Sequence, residues 1–160
     1  TYSLQYQKGA WVLHMLRNYV GEDNFGQGIR NYYKKYYNST TTTNQFKTEM
    51  EVISGMNLDT FFDQWLYKGG NIVLDGNWKF DEKKGRIEVN LNQVQNDGYL
   101  FEMPVELGIS YNDKNLEKIQ TVKLEKEKGR FYIASDSKPI SIKIDPNTKL
   151  LAIWDFNEIK

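Results

Sequence analysis

The residue types that usually carry out metal chemistry are scarce in this sequence. Its 160 residues include one histidine, His14, and no cysteine. A zinc site built on a helical histidine needs a second ligand about one turn away. The positions one turn before and after His14 are Ala10, Trp11, Arg17 and Asn18, and none of these is a useful zinc ligand. We therefore interpret His14 as a packed or surface residue of a helix and expect no metal site within this chain.

The acidic and hydroxyl side chains do not form a recognisable catalytic pattern either. The sequence contains neither a Walker phosphate-binding loop nor a G-x-S-x-G nucleophile turn. The acidic pairs Asp81/Glu82 and Glu125/Glu127 fall at predicted turns or strand ends, among other charged residues. We interpret both pairs as solvated surface rather than as general acids or bases.

Two other short patterns have ordinary explanations. The run Tyr-Tyr-Lys-Lys-Tyr-Tyr at 32–37 could stack nucleic-acid bases and contact phosphates. On a helix, however, these side chains point around most of the circumference, so we expect core and interface packing instead. The triplet Asn38-Ser39-Thr40 matches the acceptor pattern for N-glycosylation, although three-residue matches often arise by chance.

The charge balance argues against two classes of partner. Lys plus Arg number 21 and Asp plus Glu number 21, so the formal net charge is zero. Proteins that bind duplex nucleic acid or anionic membrane surfaces normally carry a basic excess. No apolar run is long enough to span a bilayer. We expect no nucleic-acid partner and no membrane span, whereas the absence of cysteine leaves cytoplasmic, periplasmic and secreted locations all compatible.

The first 70 residues begin with two patterns typical of helices. One spans about 7–20, and Gly21 is expected to end it in a left-handed cap. The other spans about 23–37. The apolar face of the first contains Val12, Met15, Leu16, Tyr19 and Val20. That of the second contains Phe25, Ile29, Tyr32, Tyr33 and Tyr36.

Two more helices are predicted before residue 70. Thr42 and Gln45 have the spacing of a capping box, which indicates a third helix that stops at Gly55. Asn57 opens a fourth helix, which ends at 69–70, where two glycines follow each other. The apolar residues of this last helix are Leu58, Phe61, Phe62, Trp65 and Leu66.

After residue 71 the apolar residues recur with a period of two, which is typical of strands with one buried face. The clearest runs lie at 87–91, 103–111 and 140–144. Turn signals stand at 97–98, 112–113, 128–129, 136–139 and 145–147. Pro104 cannot donate to a strand ladder, so its strand should lie at a sheet edge or begin pairing there. The sequence therefore predicts an α+β chain: about four helices, then an antiparallel β-sandwich of about seven strands.

One segment resembles a known enzyme family. Tyr6-Gln7-Lys8-Gly9-Ala10 resembles the Tyr-Glu-Lys-Gly-Ala element of the zinc aminopeptidases called gluzincins, the membrane alanyl aminopeptidase family. The resemblance continues in order through 13–33 and 43–65, and 70–74 is similar to the family's crossing into a β-sandwich domain. It covers residues 1–110 well and the remainder only by pattern.

The resemblance implies a domain organisation, an activity and one site residue. Residues 1–70 would be the helical C-terminal part of a thermolysin-like peptidase domain, and residues 71–160 the β-sandwich domain. Family members remove single residues from peptide N-termini. Their tyrosine in this element donates a hydrogen bond to the oxyanion of the tetrahedral intermediate, and Tyr6 is the matching catalytic residue here. A donor of this kind contributes about 3–4 kcal/mol. The alternative for Tyr6 is a helix-entry aromatic that packs on the next turn.

The same resemblance implies that essential parts lie outside this sequence. The family's zinc ligands, two histidines of H-E-x-x-H and a later glutamate, lie upstream of the tyrosine, as does the Gly-x-Met-Glu-Asn element that binds the substrate amine. Neither motif occurs in residues 1–160. The chain starts at Thr1 without a methionine or a leader, so we expect a fragment that binds no catalytic zinc and is inactive alone. Its partners in the intact enzyme would be the upstream catalytic half and a peptide N-terminus.

A competing hypothesis belongs to a different class: a non-catalytic β-sandwich module that binds a protein or a glycan. The two hypotheses differ in what the first helix should look like. A fragment is expected to expose apolar surface around Trp11, Val12 and Leu16, because the partner of that helix would be missing. A stand-alone module is expected to bury it.

Overall fold

The computed structural model describes residues 2–68, 70–96, 98–111 and 117–159, with side chains from residue 6 onward. The helices are α1 (Tyr2–Val20), α2 (Glu22–Tyr36), α3 (Thr43–Ser54) and α4 (Asp59–Phe62), and a π-helical turn, Asp63–Tyr67, continues α4. The strands are β1 (Ile72–Asp81), β2 (Arg86–Gln93), β3 (Met103–Ser110), β4 (Glu117–Leu124), β5 (Lys128–Ala134), β6 (Ser141–Ile144) and β7 (Ala152–Glu158). This order confirms the α+β prediction. The chain divides into two compact units, Thr1–Gly69 and Gly70–Lys160, called here the helical unit and the sheet unit.

Local signals set the ends of α3. The hydroxyl of Thr42 accepts a hydrogen bond from the backbone N–H of Gln45, and the side-chain oxygen of Gln45 accepts one from the backbone N–H of Thr42 at 2.8 Å. This reciprocal pair is the predicted capping box, and it satisfies two N–H groups that the helix leaves open. At the other end Gly55 adopts φ 68° and donates its N–H to the carbonyl of Glu51 at 2.9 Å. That left-handed conformation is accessible to glycine at little cost.

Gly21 ends α1 as predicted, but not in the left-handed helical conformation. Its φ is 89° and its ψ is 150°, and it is the N-cap of α2. Its carbonyl accepts the first hydrogen bond of α2, from the N–H of Phe25 at 2.9 Å. Because α2 starts at the next residue, Gly21 must turn the chain and cap a new helix, and only glycine adopts this positive φ with ease.

The predicted apolar face of α2 is partly wrong. Ile29 and Tyr33 are exposed, Tyr33 by 64%. Gly28 is instead buried against α3, where a Cβ on it would lie 2.6 Å from the Met50 sulfur. Glycine has no side chain that a hydropathy pattern can register, so the sequence does not reveal this close contact.

The fourth helix buries the residues that its pattern predicts, with one exception. Leu66 is exposed. The N–H of Lys68 bonds to the carbonyl of Asp63, five residues back, at 2.9 Å. A π-helical turn is wider than an α-helical turn and rotates the following residues out of the α-helical register. The members that are buried as predicted are Leu58, Phe61, Phe62 and Trp65.

The expectation that α1 would expose apolar surface at Trp11, Val12 and Leu16 is wrong for two of the three. Val12 is 4% exposed and Leu16 is 1% exposed, whereas Trp11 is half-buried. The ring centroids of Tyr19 and Phe61 lie 5.5 Å apart, so α1 packs against α4. The helical unit therefore covers this face of α1 with its own residues.

The sheet unit contains two sheets, with strand orders β5-β2-β1-β7 and β4-β3-β6. In β2, buried and half-buried residues alternate from Arg86 to Gln93, as the period of two predicts. One pair departs from the prediction, because β1 and β7 run parallel, with Leu74 opposite Trp154. The preceding strand, β6, belongs to the other sheet, so no tight hairpin fixes the direction of β7.

Pro104 occupies the start of a central strand. It is the second residue of β3, which lies between β4 and β6. Pro104 lies opposite Lys123 of β4, but pairing with β6 begins only at Leu107. The prediction allowed either an edge strand or a proline at the start of strand pairing. The second is confirmed, because β3 is a central strand and Pro104 lies at its beginning.

Smaller differences occur at strand ends. Ile140 is exposed and precedes β6, and Tyr111 follows the end of β3. The predicted turns at 97–98 and 112–113 and the helix end at Gly69 fall wholly or partly outside the described residues.

Across the described part of the chain, no helix has the length and apolar character needed to cross a membrane.

Candidate functional site

The candidate site residue Tyr6 lies near the start of α1. Tyr6, Ala10, Leu13 and Arg17 are spaced by three and four residues and therefore lie along one side of the helix. We call these four residues the Tyr6 face. All four are exposed, Tyr6 by 78% and Leu13 by 44%. The Tyr6 face therefore presents a phenol and an aliphatic side chain that the helical unit leaves uncovered.

The other side of α1 anchors the helix. It carries the buried residues of the periodic pattern, Val12, Met15, Leu16 and Val20. Burying such side chains contributes about 1.5–3 kcal/mol each, which holds this part of α1 against the unit. A side chain on the opposite face is then presented outward by a helix that cannot easily rotate. The exposure of Tyr6 argues against the alternative in which its ring packs on the next turn.

An ion pair joins the end of α1 to the start of α2. Arg17 donates from both Nε and Nη2 to the two carboxylate oxygens of Glu22, on either side of Gly21. These hydrogen bonds hold the pKa of the Glu22 carboxyl below its usual range. Both side chains are exposed, so the pair adds little stability, but its two-point geometry restrains the junction between the helices.

His14 is an exposed residue of α1, in agreement with its interpretation as a surface helix residue. Its ring lies edge-on to Trp11 with centroids 5.3 Å apart, and its backbone carbonyl accepts a hydrogen bond from the side chain of Asn18 at 2.8 Å. Among the described residues, no group of three histidine, cysteine, aspartate or glutamate side chains is arranged to hold a metal ion. The donor set of the described chain does not fit a zinc site.

The acidic pairs occupy surface turns. The carboxylate of Asp81 accepts a hydrogen bond from the backbone N–H of Lys84 at 3.2 Å, which caps a short 3₁₀ turn. Glu125 pairs with Lys123 at 2.5 Å, and Glu127 is exposed. Glu82 and Glu125 are also exposed, and Asp81 is half-buried, which agrees with the prediction of solvated surface.

Sequence reasoning missed two features of the surface. Leu13 extends the Tyr6 face, and its position seven residues after Tyr6 was a usable signal because i and i+7 share a helix face. Tyr33 and Tyr37 form a second exposed aromatic group on and just after α2, with ring centroids 5.4 Å apart. Their spacing of four residues predicts that they meet, but not that they face away from the core.

Comparison with known proteins identifies a peptidase family. Residues 2–65 match the model of the peptidase family M1 domain, a range that includes Tyr6 and all four helices. The chain is 30% identical over 146 residues to "Probable aminopeptidase 2" of Sulfurisphaera tokodaii, covering 89% of this chain and 17% of that protein. It is 25% identical over 104 residues to aminopeptidase N of Lactococcus lactis, covering 64% of this chain and 12% of that protein. The chain thus spans less than a fifth of the length of these relatives.

A solved structure has the same fold. The crystal structure of Legionella pneumophila aminopeptidase A in complex with aspartic acid superposes with a TM-score of 0.78 at 15% identity. The match covers 93% of this chain and 17% of that one. At this identity the likeness concerns the fold alone, and it spans both the helices and the strands.

Proposed function

This chain belongs to the gluzincin M1 aminopeptidase family, and on that premise we propose that Tyr6 stabilises the oxyanion during peptide-bond hydrolysis in a longer aminopeptidase. We further propose that residues 1–70 are the helical C-terminal part of its thermolysin-like peptidase domain and that residues 71–160 are its β-sandwich domain. The substrate is the N-terminal residue of a peptide.

The observation that carries the proposal is the outward position of Tyr6 within the family's own sequence element. Tyr6 opens the stretch Tyr6-Gln7-Lys8-Gly9-Ala10, and its side chain is 78% exposed on a helix whose opposite side is buried. A phenol held this way can reach a substrate bound beside α1, and the anchored helix limits the freedom of its backbone. Oxyanion stabilisation needs this kind of preorganised donor.

The proposed role of Tyr6 requires only that its phenol donate a hydrogen bond. When the carbonyl carbon of the scissile peptide bond becomes tetrahedral, its oxygen takes on negative charge. The Tyr6 O–H donates to that oxygen, and it does so more strongly in the transition state than to the neutral carbonyl of the substrate. Only such a difference between the two states accelerates the reaction.

M1 enzymes depend in general on zinc, and the described residues hold no cluster that fits it. We propose that the zinc ligands belong to an upstream part of the longer protein, so the 160-residue chain alone is inactive. Purified chain incubated with an aminoacyl anilide is expected to release no product, with or without added zinc. Zinc-dependent release of the anilide would overturn this part of the proposal.

The alternative of a non-catalytic sandwich module is not favoured. The family match lies on residues 2–65, in the helical part rather than in the strands. Val12 and Leu16 are buried, as was expected of a stand-alone module. Packing within the helical unit accounts for this burial, so it does not favour the module.

The test is Tyr6→Phe in the longer enzyme. Removing the hydroxyl while keeping the ring is expected to lower kcat by about 10²–10³, with a much smaller change in KM. Tyr33→Phe is the matched control, because Tyr33 is also a largely exposed helical tyrosine and lies outside the Tyr6 face. A Tyr6→Phe enzyme with the kcat of the parent would refute the role of the phenol.

A further inference from the structure

The connection between α2 and α3 exposes an intact acceptor triplet for N-linked sugar. Asn38, Ser39 and Thr40 are all exposed, and the N–H of Ser39 donates to the carbonyl of Tyr36 at 3.0 Å, which forms a tight turn. Asn38 adopts φ 54°, a left-handed conformation that asparagine tolerates better than most residues. The turn therefore presents the Asn38 side chain away from the helices on either side.

Both reactive groups of the triplet are available. Among the described residues, nothing hydrogen-bonds to the carboxamide of Asn38 or to the hydroxyl of Thr40, whereas most other polar side chains of this region are engaged. Thr41 bonds to Tyr32, and Thr42 caps α3. No other asparagine in the sequence is followed two residues later by serine or threonine. The single matching triplet thus coincides with an exposed turn whose acceptor groups are uncommitted.

An aromatic surface adjoins the triplet. Tyr37 precedes Asn38 and is 63% exposed, and Tyr33 lies one turn earlier on the same side. The two rings meet at 62° with centroids 5.4 Å apart, so at least one ring face is open to solvent. Aromatic faces bind the C–H face of a sugar ring, and the exposed rings of Tyr33 and Tyr37 offer such faces next to Asn38.

We propose that Asn38 is an acceptor for an N-linked oligosaccharide, and that the first sugar lies over the Tyr33–Tyr37 pair. The donor is a lipid-linked oligosaccharide diphosphate. A bond forms between Asn38 Nδ2 and C1 of the first sugar, the bond between that C1 and the diphosphate oxygen breaks, Nδ2 loses a proton, and the lipid diphosphate leaves. This proposal does not depend on the role of Tyr6, because it involves a different segment and a different reaction.

The first test measures attachment. The full chain, translated behind a cleavable signal sequence with endoplasmic-reticulum microsomes, is expected to gain one endoglycosidase-sensitive glycan, which peptide mass spectrometry assigns to Asn38. Asn38→Gln and Thr40→Ala should each abolish it, Thr40→Ser should keep it, and Asn157→Gln is the control that leaves it unchanged. An unmodified parent chain overturns the proposal, as does a glycan assigned to another residue.

The second test measures the contact with the tyrosines. Nitration of Tyr33 and Tyr37 by tetranitromethane is expected to be slower in the glycosylated chain than after enzymatic removal of the glycan. Tyr67 is as exposed as Tyr33 and serves as the internal control, whose nitration should not change. Equal nitration of Tyr33 and Tyr37 with and without the glycan overturns the proposed position of the sugar.

Discussion

The apolar residues of β2 all point into the core, whereas those of α1 divide between two faces. Ile87, Val89 and Leu91 are completely buried, and the residues between them are polar. In α1, Leu16 is buried but Tyr6 and Leu13 are exposed. A strand that packs on one side needs one apolar face, and β2 has one apolar face and one polar face. The additional apolar residues of α1 are not explained by the stability of the helical unit, and they coincide with the proposed catalytic residue.

The largest expected effect tests this division directly. Leu91→Ala in β2 and Leu16→Ala in α1 should each lower the free energy of unfolding by about 2–5 kcal/mol, because both leave a cavity. Leu13→Ala removes the same atoms from the Tyr6 face and should change the free energy by less than about 0.5 kcal/mol. Urea unfolding followed by circular dichroism measures all three. If Leu13→Ala cost as much as Leu16→Ala, the two faces of α1 would not differ as described.

Replacing a glycine by alanine should lower the free energy of unfolding in β1 and raise it in α1. In β1, a Cβ on Gly76 would lie 2.6 Å from the carbonyl oxygen of Asn90, a backbone atom that cannot move aside, so Gly76→Ala should cost about 1–3 kcal/mol. On α1, a Cβ on Gly9 would meet no described atom within 4 Å beyond its chain neighbours and the backbone of its own helix, so Gly9→Ala should stabilise the helix by about 0.5–1 kcal/mol. The same unfolding experiment compares them. Destabilisation by Gly9→Ala would indicate a contact on α1 beyond those described.

A smaller effect is expected at the N-terminus of α3, where stability depends on local hydrogen bonds rather than on distant strands. Thr42→Ala removes the hydroxyl of the capping box and should cost about 1 kcal/mol. Thr43→Ala, at the next exposed position, is the control and should be nearly neutral. Thermal unfolding of both variants measures the difference. Equal melting temperatures for the two variants would contradict the importance of the cap.

The smallest effect concerns pH and the sheet unit. Burial raises the pKa of the Glu106 carboxyl, but hydrogen bonds from Lys149 at 2.7 Å and Asn147 at 2.8 Å outweigh burial, so the pKa lies below the usual value of 4.5. A carboxyl with a lowered pKa in the folded state stabilises the fold above its unfolded pKa and loses this contribution as the pH falls through its folded pKa. When the pH is lowered from 7 to below 4.5, the Glu106→Gln variant should therefore lose less unfolding free energy than the parent chain.

The control for this pH experiment is Glu82→Gln, in an exposed turn. The free energy of unfolding of this variant, measured in urea, should change with pH as that of the parent chain does. A Glu106→Gln variant with the full pH dependence of the parent would show that the bonds to Lys149 and Asn147 do not lower the pKa of this carboxyl.

The features that sequence reasoning predicted are those encoded by neighbouring residues. The capping box at Thr42 and Gln45 follows from a spacing of three residues, and the buried face of β2 follows from a period of two. The contact of Gly28 with Met50 could not be predicted in this way, because it joins two helices and one partner has no side chain. Tyr33, which the pattern assigned to the apolar face of the same helix, is exposed.

The sequence by itself determined the order of the elements, most of their ends, and the family element that contains Tyr6. These features depend on hydrogen bonds and periodicities within a few residues. Only the tertiary structure decided what covers the apolar side of α1, that β7 runs parallel to β1, and that Tyr6 remains exposed. Burial depends on residues that are distant in the sequence and meet only when the chain has folded, so a local pattern can indicate an apolar face but not what covers it.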